Sequence, residues 1–371
     1  MRRVEAPVRA VGPLNHTRIQ DVQVNKHLRG ALVFLAAGAS LCQGSLSAAP
    51  RDDESDRSGV ELMTPATLRA VDRGLSYLAK RQQDNGSLGS GGWSHNVAVC
   101  ALAGIAFVAS GSTPDEGPHG KEVARAIDFI LLNTGDEGFI HVADDTGHGP
   151  MYGHGFATLF LAETYGMTRH PQVREKLSKA VNLIIDTQNA EGGWRYQPQR
   201  RDADISVTIC QVMALRSARN AGLYVPPATI ERCIAYVKRS QNADGGFMYM
   251  TQGGPSAFPR SAAGVVALYS AGIYEGQALE NGLSYLLESL PRGNILARDS
   301  HYFYGHYYAV QAMWHAGGDR WRQWYPAIRD ELLARQRDDG SWNDSICPEY
   351  GTAMACIILQ MPTNYLPIFQ R

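Results

Sequence analysis

The chain has 371 residues, 44% hydrophobic and 19% charged, with a formal net charge of −1. This composition supports one large core or two modest ones and excludes a wholly disordered chain. Near-neutral charge without a long Lys/Arg run excludes an electrostatic nucleic-acid surface, so no nucleic-acid partner is expected.

Residues 1–48 differ from the rest. Lys26 and Arg29 precede an apolar run from Ala31 to Leu41, and small residues follow as far as Ala48, the order of parts in a secretory signal. The apolar run is too short to cross a bilayer as a helix. Export to the periplasm or beyond is expected, with cleavage after Ser47 or Ala48; the alternative is a buried apolar helix. The long stretch before Lys26 leaves the true start open. Residues 49–61, with "RDDESDRSG", read as a solvated linker, and residues 62–371 as the folded domain.

The first element of that domain is an amphipathic helix over "ATLRAVDRGLSYLAKRQ", with Leu68, Val71, Leu75 and Leu78 at helical spacing. Thr64 caps it and Pro65 takes its first position. The loop "QQDNGSL" follows, then "NVAVCALAGIAFVASG", apolar on every side and rich in small residues, as a surrounded helix must be. This order recurs. "NTGDEGF", "QNAEGGW", "QNADGGF" and "QRDDGSW" repeat the loop, each with a Gln or Asn six residues before a bulky one. The bulky residues are Leu88, Phe139, Trp194, Phe247 and Trp342, and the double gap before the last marks a unit without the signature near residues 290–296. Six helical hairpins are expected, polar helices outside and apolar ones inside. The loop glycine suits a left-handed turn, the Gln is expected to bond loop backbone, and the bulky side chain to pack on the neighbouring unit. The period alone leaves open whether the hairpins form a solenoid or a ring.

Aligning the apolar helices on a small or apolar residue places His95, His154, Ser206, Arg260, His306 and Thr352 at one position. Two residues earlier stand Trp93, Tyr152, Asp204, Phe258, Tyr304 and Tyr350. In a ring, the second set forms an aromatic belt interrupted by one acid. Aromatic faces stabilise cations, and an acid among them is raised in pKa and suited to donate a proton. The alternative is that the aromatics are hydrophobic staples and Asp204 is a helix N-cap. The histidines with Arg260 hold an anion or a metal, or are satisfied rim residues; no metal or other cofactor is expected. Tyr307 and Tyr308 are expected to pack between units. Five cysteines after residue 48, without close pairing, argue against a disulfide framework or a thiolate zinc site.

The Q-x-x-D/E-G-G/S-W/F loop resembles the repeat of the terpenoid cyclases and protein prenyltransferases, the prenyltransferase and squalene oxidase repeat. The resemblance spans residues 62–371 and implies an all-α fold, a closed α/α toroid with six inner and six outer helices around a central cavity. The ligand site is implied at one mouth, near the inner helix N-termini. "DADIS" resembles the DxDD acid motif of squalene–hopene-type cyclases, with Asp202 and Asp204 matching its first and central acids, while Ile205 replaces the last one. Such cyclases normally carry a second helical domain, and the resemblance covers one. The zinc site of prenyltransferase β-subunits is not matched, since Gly351 stands where that family has a ligand His.

Three functions follow as expectations. The first is an aromatic cavity that binds an isoprenoid-like or other apolar small molecule, with acid chemistry at Asp204; such a ligand is compatible with peripheral membrane association. The second is glycan cleavage, with Asp204 and Glu349 as an acid/base pair and Trp93 and the tyrosines stacking sugars. The third is a scaffold that kept the ring without the chemistry. Oligomeric state is left open.

Overall fold

The computed structural model describes residues 59–114, 116–142, 149–291 and 301–370. The signal-like residues 1–48, most of the linker and residues 292–296 of the fifth loop lie outside the described residues. Twelve α-helices are described, in six successive pairs: α1 (Pro65–Arg81) with α2 (Val97–Ala109), α3 (Gly120–Leu132) with α4 (Pro150–Thr164), α5 (Val173–Thr187) with α6 (Ile205–Asn220), α7 (Pro227–Arg239) with α8 (Phe258–Ser270), α9 (Gln277–Glu288) with α10 (Tyr302–Ala316), and α11 (Gly318–Arg335) with α12 (Pro348–Gln360). Among the described residues no strand forms. Extended pairs occur only as isolated bridges such as Thr134–Ile140 and Gln241–Phe247, both inside loops.

The first helix of each pair is amphipathic and the second is buried on all sides, as the two sequence types require. In α1 the Thr64 side chain accepts the Thr67 N–H at 3.2 Å, and the buried stripe is Thr67, Ala70, Val71, Gly74, Leu75 and Leu78. Leu68, expected in that stripe, is 51% exposed, because it lies one residue past its edge. Every residue of α2 except Ala98 is buried. Glycines in the inner helices admit a neighbour's side chain: Gly104 faces Phe160, and Gly155 faces Cys210.

The inner helices pack in sequence, α2 on α4, then α6, α8, α10 and α12, and α12 packs back on α2. The fold is therefore a closed α/α toroid, not an open superhelix. The outer helices fill the external grooves, α1 between α12 and α2, α5 between α4 and α6, α9 between α8 and α10.

The loops explain why the ring closes. Gln82 Nε2 donates to Gly86 O in its own loop at 3.1 Å and to Glu122 O, on the next outer helix, at 3.0 Å. Gln188 and Gln241 repeat this with Thr229 O at 2.9 Å and Ala278 O at 2.8 Å. Gln336 does the same with Ala70 O at 2.8 Å, so the last loop bonds the first helix. The loop glycines hold φ between +84° and +101°, and a Cβ on any of them would strike the backbone or side chain of that same outer helix. The second loop is a correction. Its bridge joins Thr134 to Ile140, and Ile140 is the fully buried residue while Phe139 is only partly buried. The register thus runs one residue later than the Asn133–Phe139 reading. Lys176 from the next outer helix supplies a donor to Leu131 O and Thr134 O where the others use Gln.

At the opposite face the C-terminal turn Pro367–Phe369 is drawn into the ring. Glu163 accepts the Ile368 N–H at 3.2 Å, Trp314 Nε1 donates to Phe369 O at 2.9 Å, and Arg216 donates to Gln370 O at 3.1 Å.

Candidate functional site

The loops gather at the end where the inner helices begin, and in α4, α6, α8 and α12 a side chain about one turn into the inner helix secures the loop. Thr208 Oγ1 accepts the Trp194 N–H at 3.1 Å, Ser261 Oγ the Phe247 N–H at 2.8 Å, and Thr352 Oγ1 the Trp342 N–H at 3.0 Å. His154 is the same device. Its Nδ1 accepts the Ile140 N–H at 3.2 Å, its Nε2 faces Ala180 O at 3.2 Å, and burial lowers its pKa to about 4. The structural mates of His154 are therefore Thr208 and Ser261, in place of Ser206 and Arg260. His154, Thr208 and Ser261 each stand 14 residues after the buried bulky residue of their loop, Ile140, Trp194 and Phe247, a register that an alignment on small residues ignores.

The histidines do not converge. His95, in the left-handed region at φ 61°, bonds Ser87 Oγ at 2.8 Å. His306 is fully buried between Tyr302, Phe258 and Trp324, with ring centroids at 4.5, 5.0 and 6.0 Å. Burial and the Arg335 charge lower its pKa to about 3, and neither ring nitrogen has a partner among the described residues. Arg260 is tied into its own loop through Phe247 O at 3.0 Å and Pro255 O at 2.5 Å. Among the described residues no group of three or more His, Cys, Asp or Glu could hold a metal ion.

The aromatic set does not form one belt. Phe258 packs beside His306 and Trp324, away from the others. Tyr152 and Tyr304 meet edge to face at 6.5 Å, and the Tyr304 hydroxyl donates to Ser206 O at 2.8 Å. Further down the bore, Phe156 of α4 meets Tyr307 of the opposite helix α10 at 6.1 Å, and the Tyr308 hydroxyl lies 3.3 Å from Cys210 Sγ. Tyr307 and Tyr308 therefore cross the lumen instead of packing between units. Tyr350, 7% exposed, has its pKa raised by burial and then by Asp344, Cys210 and Tyr307. Trp93 ends a short 3₁₀ turn, Gly91–Trp93, at the rim.

A cleft of about 440 Å³ where the first three units meet is lined by Trp93, Asn96, Val97, Phe139, His141, Val142, Tyr152, Tyr196 and Gln197, among others. Among the described residues its walls are aromatic and aliphatic, with a few amides and the imidazole of His141.

Asp204 sits behind this cleft. It is the N-cap of α6, its Oδ1 accepting the Val207 N–H at 2.9 Å, and it is fully buried. Its Oδ2 accepts from the Tyr249 hydroxyl at 3.4 Å and lies 3.7 Å from Arg195 Nε. Burial pushes the carboxyl up to about 6, against the opposite pull of the Val207 N–H and Arg195. The Tyr249 hydroxyl is in turn hydrogen-bonded to that of Tyr196, in the cleft wall. Arg195 lies over both rings, 5.0 Å from Tyr196 and 5.7 Å from Tyr249, and pairs at 2.5 Å with the half-exposed Asp202. Both features of Asp204 weighed from the sequence coexist: it is a cap, and it is an acid raised towards neutrality.

Glu349, also fully buried, is elsewhere. Its two oxygens take Arg81 Nε at 2.8 Å and Ser90 Oγ at 2.8 Å, and these bonds outweigh burial and lower its pKa. It belongs to α12, opposite α6 in the ring, and no contact joins it to Asp204.

Arg195, Tyr196 and Tyr249 were not singled out from the sequence, yet a signal was present. Tyr196 and Tyr249 each stand two residues after a loop's bulky residue, and so do Ser90 and Val142 once the second loop is read in its true register. Those positions face the mouth: Val142 and Tyr196 line the cleft, Tyr249 meets Asp204 and Ser90 meets Glu349.

No protein-family model matches the chain, and no curated protein is similar to it in sequence. Solved structures share the fold. The type II terpene cyclase MstE from Scytonema superimposes with a TM-score of 0.59 at 13% identity, over 81% of this chain and 99% of that one. A single-substitution variant of the same enzyme has been solved with the substrate geranylgeranyl dihydroxybenzoate, covering 84% of this chain and 99% of that one. A protein from Actinoplanes gives 0.55 at 17% identity, over 81% and 99%. An inactive variant of the α-1,6-mannanase GH76A of Salegentibacter, bound to α-1,6-mannotriose, gives 0.58 at 7% identity, over 80% and 98%. At these identities the likeness is one of fold.

Proposed function

We propose that this protein is an exported, terpenoid-cyclase-like toroid of the prenyltransferase and squalene oxidase repeat kind, which binds an apolar, isoprenoid-like molecule in the cleft where its first three units meet. The cleft carries the reading. Its volume falls in the range of small-molecule sites, and its lining of rings with a few amides is what such sites use. A toroid of the same fold holds a geranylgeranyl compound, which supports the ligand class. Calorimetric titration with geranylgeraniol tests this. Saturable binding is expected, weakened about fivefold or more by Tyr152→Ala or Trp93→Ala, the loss of one stacking ring. Binding indifferent to both substitutions would overturn the reading.

Acid chemistry at Asp204 is a second reading, favoured by the burial of that carboxyl beside Tyr249. Cyclisation within the bore has less support, because Phe156 and Tyr307 meet across it and Ile205 is a buried core residue. Glycan cleavage by Asp204 with Glu349 lacks the paired geometry that reaction needs. Export rests on residues 26–48, and N-terminal sequencing of periplasmic or extracellular protein should begin near residue 48. Recovery of the full chain from the cytosol would refute it.

A further inference from the structure

The cleft and the acid behind it are separated by two phenols. Asp204 does not line the cleft, and its Oδ1 is committed to the helix cap. Its remaining oxygen meets the Tyr249 hydroxyl at 3.4 Å; that hydroxyl is hydrogen-bonded to Tyr196, and Tyr196 forms part of the cleft wall. We infer that Tyr249 and Tyr196 form a proton wire from Asp204 to the cleft, with Tyr196 as the group that hands the proton to the bound molecule. The inference rests on the cleft being the ligand site.

The transfer balances without any further reactant. When Oδ2 carries the proton, the Asp204–Tyr249 bond runs the other way, with Asp204 donating and the Tyr249 O–H turned to Tyr196. The Asp204 proton then passes to Tyr249 Oη as the Tyr249 proton passes to Tyr196 Oη and the Tyr196 proton passes to an acceptor on the ligand. Three O–H bonds break, two O–H bonds form on the phenols and a third bond to hydrogen forms on the acceptor. Asp204 is left as a carboxylate and both tyrosines as neutral phenols. The surroundings suit this division of labour. Burial, the bond to Tyr196 and the Asp204 charge raise the Tyr249 phenol far above neutrality, so it relays a proton and does not keep a charge. Arg195, 3.7 Å from Oδ2, faces the carboxylate left behind.

The groups around Asp204 are Arg195 and Asp202 from its own loop, Tyr249 from the next loop, Tyr152 on α4, Cys210 on α6, Tyr236 on α7 and Tyr304 on α10. The thiol and the phenols Tyr152, Tyr236 and Tyr304 are all raised by burial, which leaves Asp204, at about 6, as the source of a proton near neutrality. An acid of that strength protonates oxygen far more readily than an isolated carbon–carbon double bond. The ligand class is accordingly an apolar molecule that presents a carbonyl or hydroxyl oxygen to Tyr196.

Carbon-13 NMR of the full domain labelled at tyrosine Cζ tests the wire without any ligand. The Tyr196 signal should shift with a midpoint near pH 6 in the parent, and lose that inflection in both Asp204→Asn and Tyr249→Phe. Circular dichroism should show both variants folded, so a lost inflection reports the wire and not unfolding. A Tyr196 signal that ignores pH in the parent, or that keeps its inflection in Tyr249→Phe, would overturn the inference. The second arm is geranylgeraniol, whose dissociation constant should change between pH 5 and pH 7 in the parent and be constant in Tyr249→Phe. The two readings fail separately: a pH-insensitive Tyr196 removes the wire and leaves the cleft, whereas geranylgeraniol that does not bind removes the cleft as its terminus.

Discussion

Asp204 shows how one residue serves two demands that a sequence presents as alternatives. Capping favours the carboxylate, because the Val207 N–H and the α6 dipole both prefer negative charge. Burial favours the neutral acid, and it wins, leaving the group at about 6 against an ordinary 3.8. A folded-state pKa above the unfolded one means the folded chain binds the extra proton. The associated stability is complete below about pH 4 and is lost as pH rises through about 6. The difference is about 3 kcal/mol. Asp204→Asn lacks this dependence, so raising the pH from 4 to 7 should favour the variant over the parent by about that amount in denaturant unfolding. A parent–variant difference that is flat with pH would show that the carboxyl is not raised. His154 works in the other direction. Its folded pKa of about 4 lies below the usual 6.5, so unfolding takes up a proton as the pH falls from 6.5 towards 4. His154→Gln should flatten that acid limb by about 1.4 kcal/mol per pH unit, read from melts at several pH values.

At the scale of the element, the loop was the most legible part of the sequence, because its residue types answer to backbone geometry. The glycine is demanded by a positive φ against a neighbouring helix, and the Gln by two carbonyls a fixed distance apart. The second loop was misread by one residue for a physical reason: Lys176, distant in sequence, supplies the donor, so no Gln marks the register. The same logic separates two substitutions. Gln188→Ala strips donors from Gly192 O and Thr229 O and an acceptor from Arg232, so a loss of about 2–4 kcal/mol is expected. Asn133→Ala removes only a bond within its own helix end, to Phe129 O, and about 0.5 kcal/mol or less should follow. Equal losses from the two would mean that the Gln bridge is not what holds the units together. The site was less legible than the loops. Phe258, Tyr152 and Tyr304 are equivalent by alignment, yet they face different neighbours, because rotation of each inner helix depends on packing partners across the ring. Periodicity carries no record of those partners.

For the whole molecule the question left open by the period, solenoid or ring, has an energetic consequence. In a solenoid each unit contacts only its neighbours, and terminal units can fray independently. Here the first and last units are neighbours: α12 packs on α2, Gln336 bonds Ala70 O, and Arg81 of α1 pairs with Glu349 of α12. The C-terminal turn adds a second fastening that reaches several units at once. Ile368 N–H bonds Glu163 of α4, Gln370 O bonds Arg216 of α6, and Phe369 O bonds Trp314 of α10, while Leu366, Ile368 and Phe369 are buried. Burial of three such side chains contributes about 5–9 kcal/mol. That is comparable to the net stability of a typical domain. Removing residues 364–371 should therefore do more than fray one end. It exposes the end of the bore, leaves Glu163 and Arg216 without these partners, and should abolish folding of the whole ring. A milder break at the seam, Glu349→Gln, should keep the chain folded but lower its melting temperature, with unfolding still a single transition when followed by both circular dichroism and tryptophan fluorescence. A truncated chain that melts in two steps, with the first three units intact, would show that the units are coupled only in sequence and that closure contributes little.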